Sequence, residues 1–424
     1  MKYIKTLRSK FGALASASAL LMISQTIVNA GNYVYNLIMG RWLGPSLFAD
    51  ISLIVTLLLV VTFITVPLQM TAARYAAIHT SADDNKHLAE IQKFLAWLGI
   101  GIGIVFALFF ILGAPLLQNI FHTSSFTPFM IFGVALPFSL LQGVNRGILQ
   151  GQTRFTTLAL TYQTEMWSRL LFGLFFVWMG FSVNGAVLGI SLSFIATWIS
   201  TLPARIGLPQ TGFPKKDIRG AVALFALPVM VSQIGQILIN NSDILLVRRF
   251  YDSESAGQYA ALALIGRIVF FATWSVVTTM FPIVARKHKL GEPHRHLLWV
   301  SIGIVSGISV PVVILTFFFP KAIVGFLFGT QYLGIANLLW VYALATTLYA
   351  LANVIVNYRL SLGMGRETGL AITAGVAQVF GIIFFHRTLA EVVWVQVSIM
   401  AALFVTLLIR DLMHETNWKY PFAK

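Results

Sequence analysis

Long apolar runs divide this chain, and they constrain its fold more than any other feature. A bilayer core of about 30 Å needs roughly 20 mostly apolar residues per helix, and polar breaks separate runs of that length. The predicted spans are 11–39, 47–73, 90–113, 127–150, 155–180, 184–206, 219–247, 256–285, 297–319, 333–358, 367–386 and 389–410. Only 10% of the residues are charged, well below the share in soluble domains. The sequence therefore predicts an all-α, polytopic integral membrane protein with about 12 transmembrane helices.

Basic residues concentrate on one side of these spans. The chain has 29 Lys and Arg residues against 14 Asp and Glu, a net charge of +15. With the N-terminus in the cytoplasm, most of the basic residues fall in cytoplasmic segments, among them the junctions at Arg146 and Arg359. This bias predicts cytoplasmic N- and C-termini in a cell inner membrane. It also argues against nucleic acid as a partner, because the charge is spread over several short segments.

The start of the chain allows a second interpretation. A basic beginning and an apolar run precede residues 28–30 (VNA), which is the pattern of a cleaved signal peptide. Cleavage would leave eleven spans and would invert the charge bias of every later loop. The observed bias therefore favours an uncleaved first span.

The two halves of the sequence repeat each other. Three pairs of landmarks carry the match: Arg41 with Arg249, Pro67 with Pro282, and Arg146 with Arg359. Six spans separate the copies, so both halves keep one membrane orientation and form a parallel repeat. The positive-inside rule alone explains similar basic loops, but it does not explain the glycines and asparagines that recur beside them. We predict an N-terminal six-helix lobe, 1–210, and a C-terminal six-helix lobe, 211–424.

Short motifs in both halves resemble one transporter family. The motifs are residues 40–45 (GRWLGP), 241–243 (NSD), 254–259 (ESAGQY), 265–267 (IGR), and the 146–154 junction with its copy. Together they resemble the Wzx-type polysaccharide flippases of the MOP superfamily, which translocate units of O-antigen lipopolysaccharide or exopolysaccharide. On this resemblance, the motif turns contain Arg41, Gly44, Pro45, Arg146 and Arg359. Twelve spans rather than fourteen argue against a lipid II flippase.

The resemblance carries expectations about fold and function. It implies two pseudo-symmetric six-helix bundles around a central cavity that opens to each side in turn, by alternating access. The implied substrate is a polyprenyl-diphosphate-linked oligosaccharide, moved between leaflets. Membrane lipid and other polysaccharide assembly proteins are the further partners that it implies.

Ionisable residues inside the apolar spans are the candidate cavity residues, because a charge there needs a polar cavity or a partner. Arg169 and Arg267 lie near mid-membrane, one in each half, and two guanidiniums could bind a diphosphate. Glu165 lies one helical turn before Arg169 and could neutralise it, whereas Arg267 has no acid nearby in the sequence. Asp243 is either a proton or cation site or, as we favour, a partner of the Arg248 and Arg249 pair.

Asparagines mark one stripe of the first span. Asn29 and Asn32, followed by Asn36, recur at helical spacing and predict either a cavity face or a seam of interhelical hydrogen bonds. The chain has no cysteine, which excludes thiolate zinc sites. We expect no metal and no cofactor, with H+ or Na+ coupling left open.

Three functions compete for this pattern. A flippase is favoured by the mid-membrane arginines and the repeat. A MATE-like cation-coupled antiporter for drugs or small molecules would depend on embedded carboxylates, and only Glu165 and Asp243 qualify. A membrane glycosyltransferase or polymerase is the enzyme alternative, but the chain has neither an Asp-x-Asp metal motif nor a large outer loop. The sequence thus predicts a translocase rather than an enzyme.

Overall fold

The computed structural model of the protein describes residues 2–81, 84–205, 209, 212–214, 216–363 and 366–415. These residues are almost entirely helical and contain no β-strand. In chain order the helices are α1 (Lys2–Ser81), α2 (Asn85–Leu112), α3 (Ala114–Phe121), α4 (Thr127–Gly151), α5 (Phe155–Phe176), α6 (Ser182–Ser200), α7 (Lys216–Phe250), α8 (Ser253–Gly266), α9 (Ile268–Lys289), α10 (Arg295–Phe318), α11 (Pro320–Leu327), α12 (Leu339–Ser361), α13 (Arg366–Phe384) and α14 (Leu389–Glu415). A π-helical segment, Val177–Phe181, joins α5 to α6, and 3₁₀ segments, Leu202–Arg205 and Thr330–Leu338, follow α6 and precede α12.

Ten helical stretches of the described residues are long and apolar enough to cross a membrane. Two of them, Leu20–Thr80 with 61 residues and Phe155–Ala204 with 50, are more than twice as long as the roughly 20 residues that one crossing needs. Gly44 (φ 75°, ψ 173°) interrupts the first stretch, and Gly180 (φ 90°, ψ 5°) interrupts the second. Each stretch therefore supplies two spans, and the predicted count of about twelve is confirmed.

Contacts divide the chain into two compact units. The first unit contains residues 1–43 and 50–231, and the second contains 44–49 and 232–424. In the first unit α2 packs along α4, and α6 packs against both α4 and α5. In the second unit α12 packs against α9, α10 and α14. The predicted lobe boundary, between residues 210 and 211, lies outside the described residues.

Two short helices were not predicted from the sequence. Helix α3 follows the third span directly and α11 follows the ninth, and each has a proline in its first turn, Pro115 and Pro320. Proline suits that position because the first helical N–H groups have no partner within the helix. The repeat of the sequence therefore extends to these eight-residue helices.

A glycine seam on α4 lets it pack closely against the second span, the part of α1 that follows Gly44. A Cβ on Gly147 would lie 2.3 Å from the carbonyl oxygen of Gln69, and a Cβ on Gly151 would lie 2.3 Å from that of Ala73. In membranes, small residues permit this kind of backbone contact, which replaces the hydrophobic driving force of soluble proteins. The seam fixes the distance between two helices of the first unit.

We expect Gly147→Ala to destabilise the protein by about 1–3 kcal/mol, because the added methyl group meets backbone atoms and forces the helices apart. Gly101→Ala is the matched control, since no atom lies within 4 Å of a Cβ built there. That change should be neutral or stabilising by up to about 1 kcal/mol, as alanine favours the helix. Thermal unfolding of the purified variants in detergent measures both, and equal melting temperatures would contradict the close contact.

Candidate functional site

One carboxylate holds two arginines within the first unit. Glu165 Oε1 accepts from Arg169 Nη2 at 2.7 Å, and Glu165 Oε2 accepts from Arg146 Nη1 at 2.7 Å. Arg169 also donates from Nη1 to Asn32 Oδ1 at 3.0 Å. We call these four residues the Glu165 cluster. The ion pair between Glu165 and Arg169, one turn apart, agrees with the predicted neutralising pair.

The Glu165 cluster carries an excess positive charge inside apolar helices. Its two guanidiniums and one carboxylate sum to +1. The side chains of Arg146, Arg169 and Glu165 are only 7%, 12% and 19% exposed. Arg169 lies about 21 Å along the helix from Phe155, at 1.5 Å per residue, which places it deep in the fifth span. A net charge so far from water is costly unless an anion can neutralise it.

The two arginines differ in how many of their guanidinium nitrogens donate hydrogen bonds to the protein. Arg146 donates from Nε to Thr161 Oγ1 at 3.0 Å and from Nη2 to the Thr161 carbonyl at 2.8 Å, and its guanidinium stacks over Tyr162. The Nε of Arg169 is buried and has no hydrogen-bond partner among the described residues. Arg146 is therefore held by protein groups on several sides, whereas Arg169 keeps a donor to spare.

Only part of the predicted asparagine stripe of the first span lies in the Glu165 cluster. Asn32 belongs to the Glu165 cluster. Asn29 accepts a hydrogen bond from Gln25 at 3.3 Å on an exposed surface, and Asn36 donates to the backbone carbonyl of Asn32. Only one of the predicted asparagines is thus brought to an arginine.

A second buried carboxylate lies in the other unit. Asp243 is fully buried and accepts from Arg267 Nη2 at 2.8 Å, from the Tyr342 hydroxyl at 2.8 Å and from the Tyr259 hydroxyl at 3.1 Å. Gln396 in turn donates to the Tyr259 oxygen at 2.6 Å. We call these five residues the Asp243 cluster. Its one acid and one arginine balance.

Arg267 and Asp243, which lie 24 positions apart in the sequence, form an ion pair in the structure. Arg267 therefore has a counter-charge, although no acid lies near it in the sequence. The pairing of Asp243 with Arg248 and Arg249 that the sequence favoured stays a prediction. The ion pair with Arg267 could not be read from helical spacing, which relates residues of one helix only.

Arg267 lies at a break in the eighth span. Helix α8 ends at Gly266 and α9 begins at Ile268, so Arg267 links two helices. The Gly266 carbonyl accepts from Thr346 Oγ1 at 3.0 Å, which satisfies a backbone group near the break. Interrupted helices occur inside membranes where neighbours supply such partners, and they often mark moving or ligand-binding segments.

The predicted junction arginines are not in loops. Arg146 and Arg359 are 6% and 4% exposed and lie inside α4 and α12, although the sequence placed both in cytoplasmic junctions. Arg359 Nη2 pairs with Asp411 at 2.8 Å, and Arg295 approaches the same carboxylate at 3.4 Å. Each unit therefore has a carboxylate that lies between two arginines. In both units one of those arginines is the one that the sequence repeat matches, Arg146 in the first and Arg359 in the second. Asp411 was not predicted as a site residue, because an acid beside Arg410 at the end of a span is typical of a solvated surface.

Polar side chains outside the predicted site residues form a seam between α7 and α12. Gln236 donates to Asn353 Oδ1 at 3.0 Å, and Asn357 donates to the same oxygen at 3.0 Å. Tyr349 donates to Gln236, and Asn240 donates to the Gln236 carbonyl at 2.8 Å. Amides four residues apart in two apolar spans were the signal that could have predicted this seam.

The motif turn of the first half packs against a motif of the second. Residues 44–49 belong to the second unit, and a Cβ on Gly257, within the ESAGQY motif, would lie 1.7 Å from the Pro45 carbonyl oxygen. A Cβ on Gly44 would lie 2.9 Å from Gln331 Oε1. Arg41 is exposed and lies in the last helical turn before Gly44. This contact gives Gly44, Pro45 and Gly257 a packing role.

In the described residues no group of three His, Asp or Glu side chains is arranged to hold a metal ion.

Comparisons with known proteins agree with this architecture. Residues 38–337 match the family described as polysaccharide biosynthesis protein. No curated protein matches the chain. The fold is similar to an inward-facing multidrug resistance MATE family transporter of the MOP superfamily, with a TM-score of 0.78 and 15% identity over 91% of this chain and 96% of that one. It is also similar to the lipid II flippase MurJ in an inward closed conformation, with a TM-score of 0.74 and 14% identity over 93% and 87%. The chain belongs to the polysaccharide biosynthesis protein family and has the fold of the MOP superfamily transporters.

Proposed function

We propose that this membrane protein is a flippase that moves a polyprenyl-diphosphate-linked oligosaccharide across the cytoplasmic membrane. The Glu165 cluster is the observation that carries the proposal, because it keeps a net positive charge inside the fifth span. The family description and the likeness to a lipid II flippase support the same substrate class. We propose a non-enzymatic translocase, with both termini in the cytoplasm and other polysaccharide assembly proteins as partners.

The chemistry of the substrate fits the cluster. A diphosphate must leave water to cross the bilayer, and in a low dielectric its charge needs a cationic partner. Guanidinium binds phosphate through two parallel hydrogen bonds, which lysine cannot provide. Arg169, with its spare Nε donor, is the proposed contact to the diphosphate. Glu165 and Arg146 hold it in place, and Asn29 and Asn32 are proposed to face the sugars.

The Asp243 cluster has a different proposed role. Its charges cancel, and Arg267 already binds Asp243 and Tyr342. We propose that it fixes the helix break in the eighth span, around which the helix bends during alternating access. Because no nucleotide-binding motif occurs in the sequence, a proton or sodium gradient is the proposed source of energy.

A MATE-like antiporter is the second candidate, favoured by the structural likeness to MATE transporters. A coupled cation requires a carboxylate that can release its partner. Glu165 and Asp243 both accept from arginines at 2.8 Å or less, so a cation could bind either carboxylate only by displacing an arginine, in an antiporter and in a cation-driven flippase alike. The family description names polysaccharide biosynthesis rather than drug export, and the antiporter is therefore the weaker proposal.

Deleting the gene tests the flippase. We expect lipid-linked oligosaccharide to accumulate in the cytoplasmic leaflet, and the wild-type gene should reverse this accumulation. An unchanged distribution between leaflets would reject the proposal. Loss of the lipid-linked oligosaccharide itself would instead indicate a transferase, and drug resistance on overexpression would indicate the antiporter.

A further inference from the structure

A cavity of about 310 Å³ lies at the end of the eighth span, and its lining residues belong to neither of the two clusters described above. Pro282, Ile283, Arg286, Lys287 and Glu292 line it. It lies on the side that the charge bias assigns to the cytoplasm. Pro282 and Ile283 are exposed and apolar, and the three charged residues follow them within the last turns of α9 and the loop after it.

The end of α9 builds the charged side of this cavity. The N–H of Glu292 donates to the Lys287 carbonyl at 2.9 Å, and the N–H of Gly291 donates to the His288 carbonyl at 3.1 Å. This pair of hydrogen bonds is the Schellman motif, which satisfies carbonyls left open at a helix end. It also folds Glu292 back, so that its carboxylate binds Lys287 Nζ at 3.1 Å.

The ion pair leaves one positive charge on the cavity. Glu292 neutralises Lys287, whereas no carboxylate of the described residues lies within 4.0 Å of Arg286. Arg286 is exposed and lies one turn beyond Pro282. The cavity therefore presents a guanidinium above an apolar floor, a combination that suits an anionic head group joined to acyl chains.

The neighbouring helix places this cavity at head-group depth. Helix α10 packs against α9, and Trp299, 43% exposed, lies one turn after its first residue, Arg295. Exposed tryptophan is enriched where hydrocarbon meets the polar head groups. We propose that the cavity binds the phosphate of an anionic phospholipid of that leaflet through Arg286, with Pro282 and Ile283 against the glycerol and upper acyl chain.

Native mass spectrometry of the purified full-length protein tests this site. After incubation with phosphatidylglycerol, Arg286→Gln should retain at least fivefold less lipid than the parent protein. Lys289→Gln is the matched control, because it removes the same charge from the same exposed helix end but does not line the cavity. It should retain as much lipid as the parent, and Arg286→Lys, which keeps the charge, should retain most of it.

Three results would overturn the proposal. Equal losses in Arg286→Gln and Lys289→Gln would mean that lipid responds to diffuse charge. Equal retention of neutral phosphatidylcholine would mean that the cavity recognises acyl chains alone. Inorganic phosphate that raises the melting temperature as much as phosphatidylglycerol would assign the site to a free anion. The test is independent of what the protein translocates, since it measures no transport.

Discussion

Arg169→Gln should reduce translocation of the lipid-linked oligosaccharide at least tenfold while leaving the protein folded. The change lowers the charge of the Glu165 cluster from +1 to 0 and removes a guanidinium whose Nε has no hydrogen-bond partner among the described residues. A tenfold loss corresponds to about 1.4 kcal/mol of lost interaction. Glu165 keeps Arg146 at 2.7 Å, so no buried carboxylate is left unpaired. Leaflet distribution in cells, with melting temperature as the measure of folding, gives both readouts.

Two further variants separate net charge from a specific contact. Lys93→Gln removes one positive charge from an exposed position of the same unit and should transport as well as the parent. Glu165→Gln combined with Arg169→Gln restores the charge of +1 through Arg146. If charge alone matters, the double variant recovers most transport, and if Arg169 contacts the diphosphate it does not. Full activity of Arg169→Gln would remove the cluster from the mechanism.

The spans were predictable because the bilayer imposes one length on every helix. Helix ends also followed from proline, glycine and charge, and Gly44 was placed in a turn by its motif. The break at Arg267 was not predictable, since residues 256–285 read as one apolar run. What stabilises that break is a neighbouring helix, through Thr346, and such a contact leaves no periodic trace in the sequence.

Of the site, the pair formed within one helix could be predicted and the pairs between helices could not. Glu165 and Arg169 are one turn apart, so spacing was sufficient. Arg359 and Asp411 are 52 positions apart, and their contact depends on how α12 packs against α14. In lipid most faces of a helix are apolar, so the hydrophobic pattern does not tell which face meets a neighbour.

The internal repeat predicted which arginines are equivalent, but it did not predict which acids they bind. Arg146 and Arg359 are equivalent in the repeat, and both hold a buried carboxylate. The acids are not equivalent, because Glu165 comes from the fifth span and Asp411 from the twelfth. Arg146 is thereby tied to Arg169 in mid-membrane, whereas Arg359 is tied to Arg295 at a helix start. This difference supports our assignment of the diphosphate contact to the first unit.

Asp243→Asn should destabilise the protein by about 3–5 kcal/mol, the usual cost of leaving a buried ion-pair partner without its counter-charge. Arg267 is only 12% exposed and would keep its charge inside the membrane. The hydroxyls of Tyr259 and Tyr342 would also lose their carboxylate acceptor. Thermal unfolding in detergent should therefore show a large drop in melting temperature, together with a lower yield of monodisperse protein.

The expected result has a matched control and a rescue. Asp252→Asn makes the same change at the N-cap of α8, where the side chain accepts from the N–H groups of Glu254 and Ser255, and asparagine caps about as well as aspartate. That control should melt within a few degrees of the parent. Adding Arg267→Gln to Asp243→Asn removes the unpaired charge and should restore part of the lost stability. A double variant no more stable than Asp243→Asn would mean that Asp243 acts through its tyrosines rather than through Arg267.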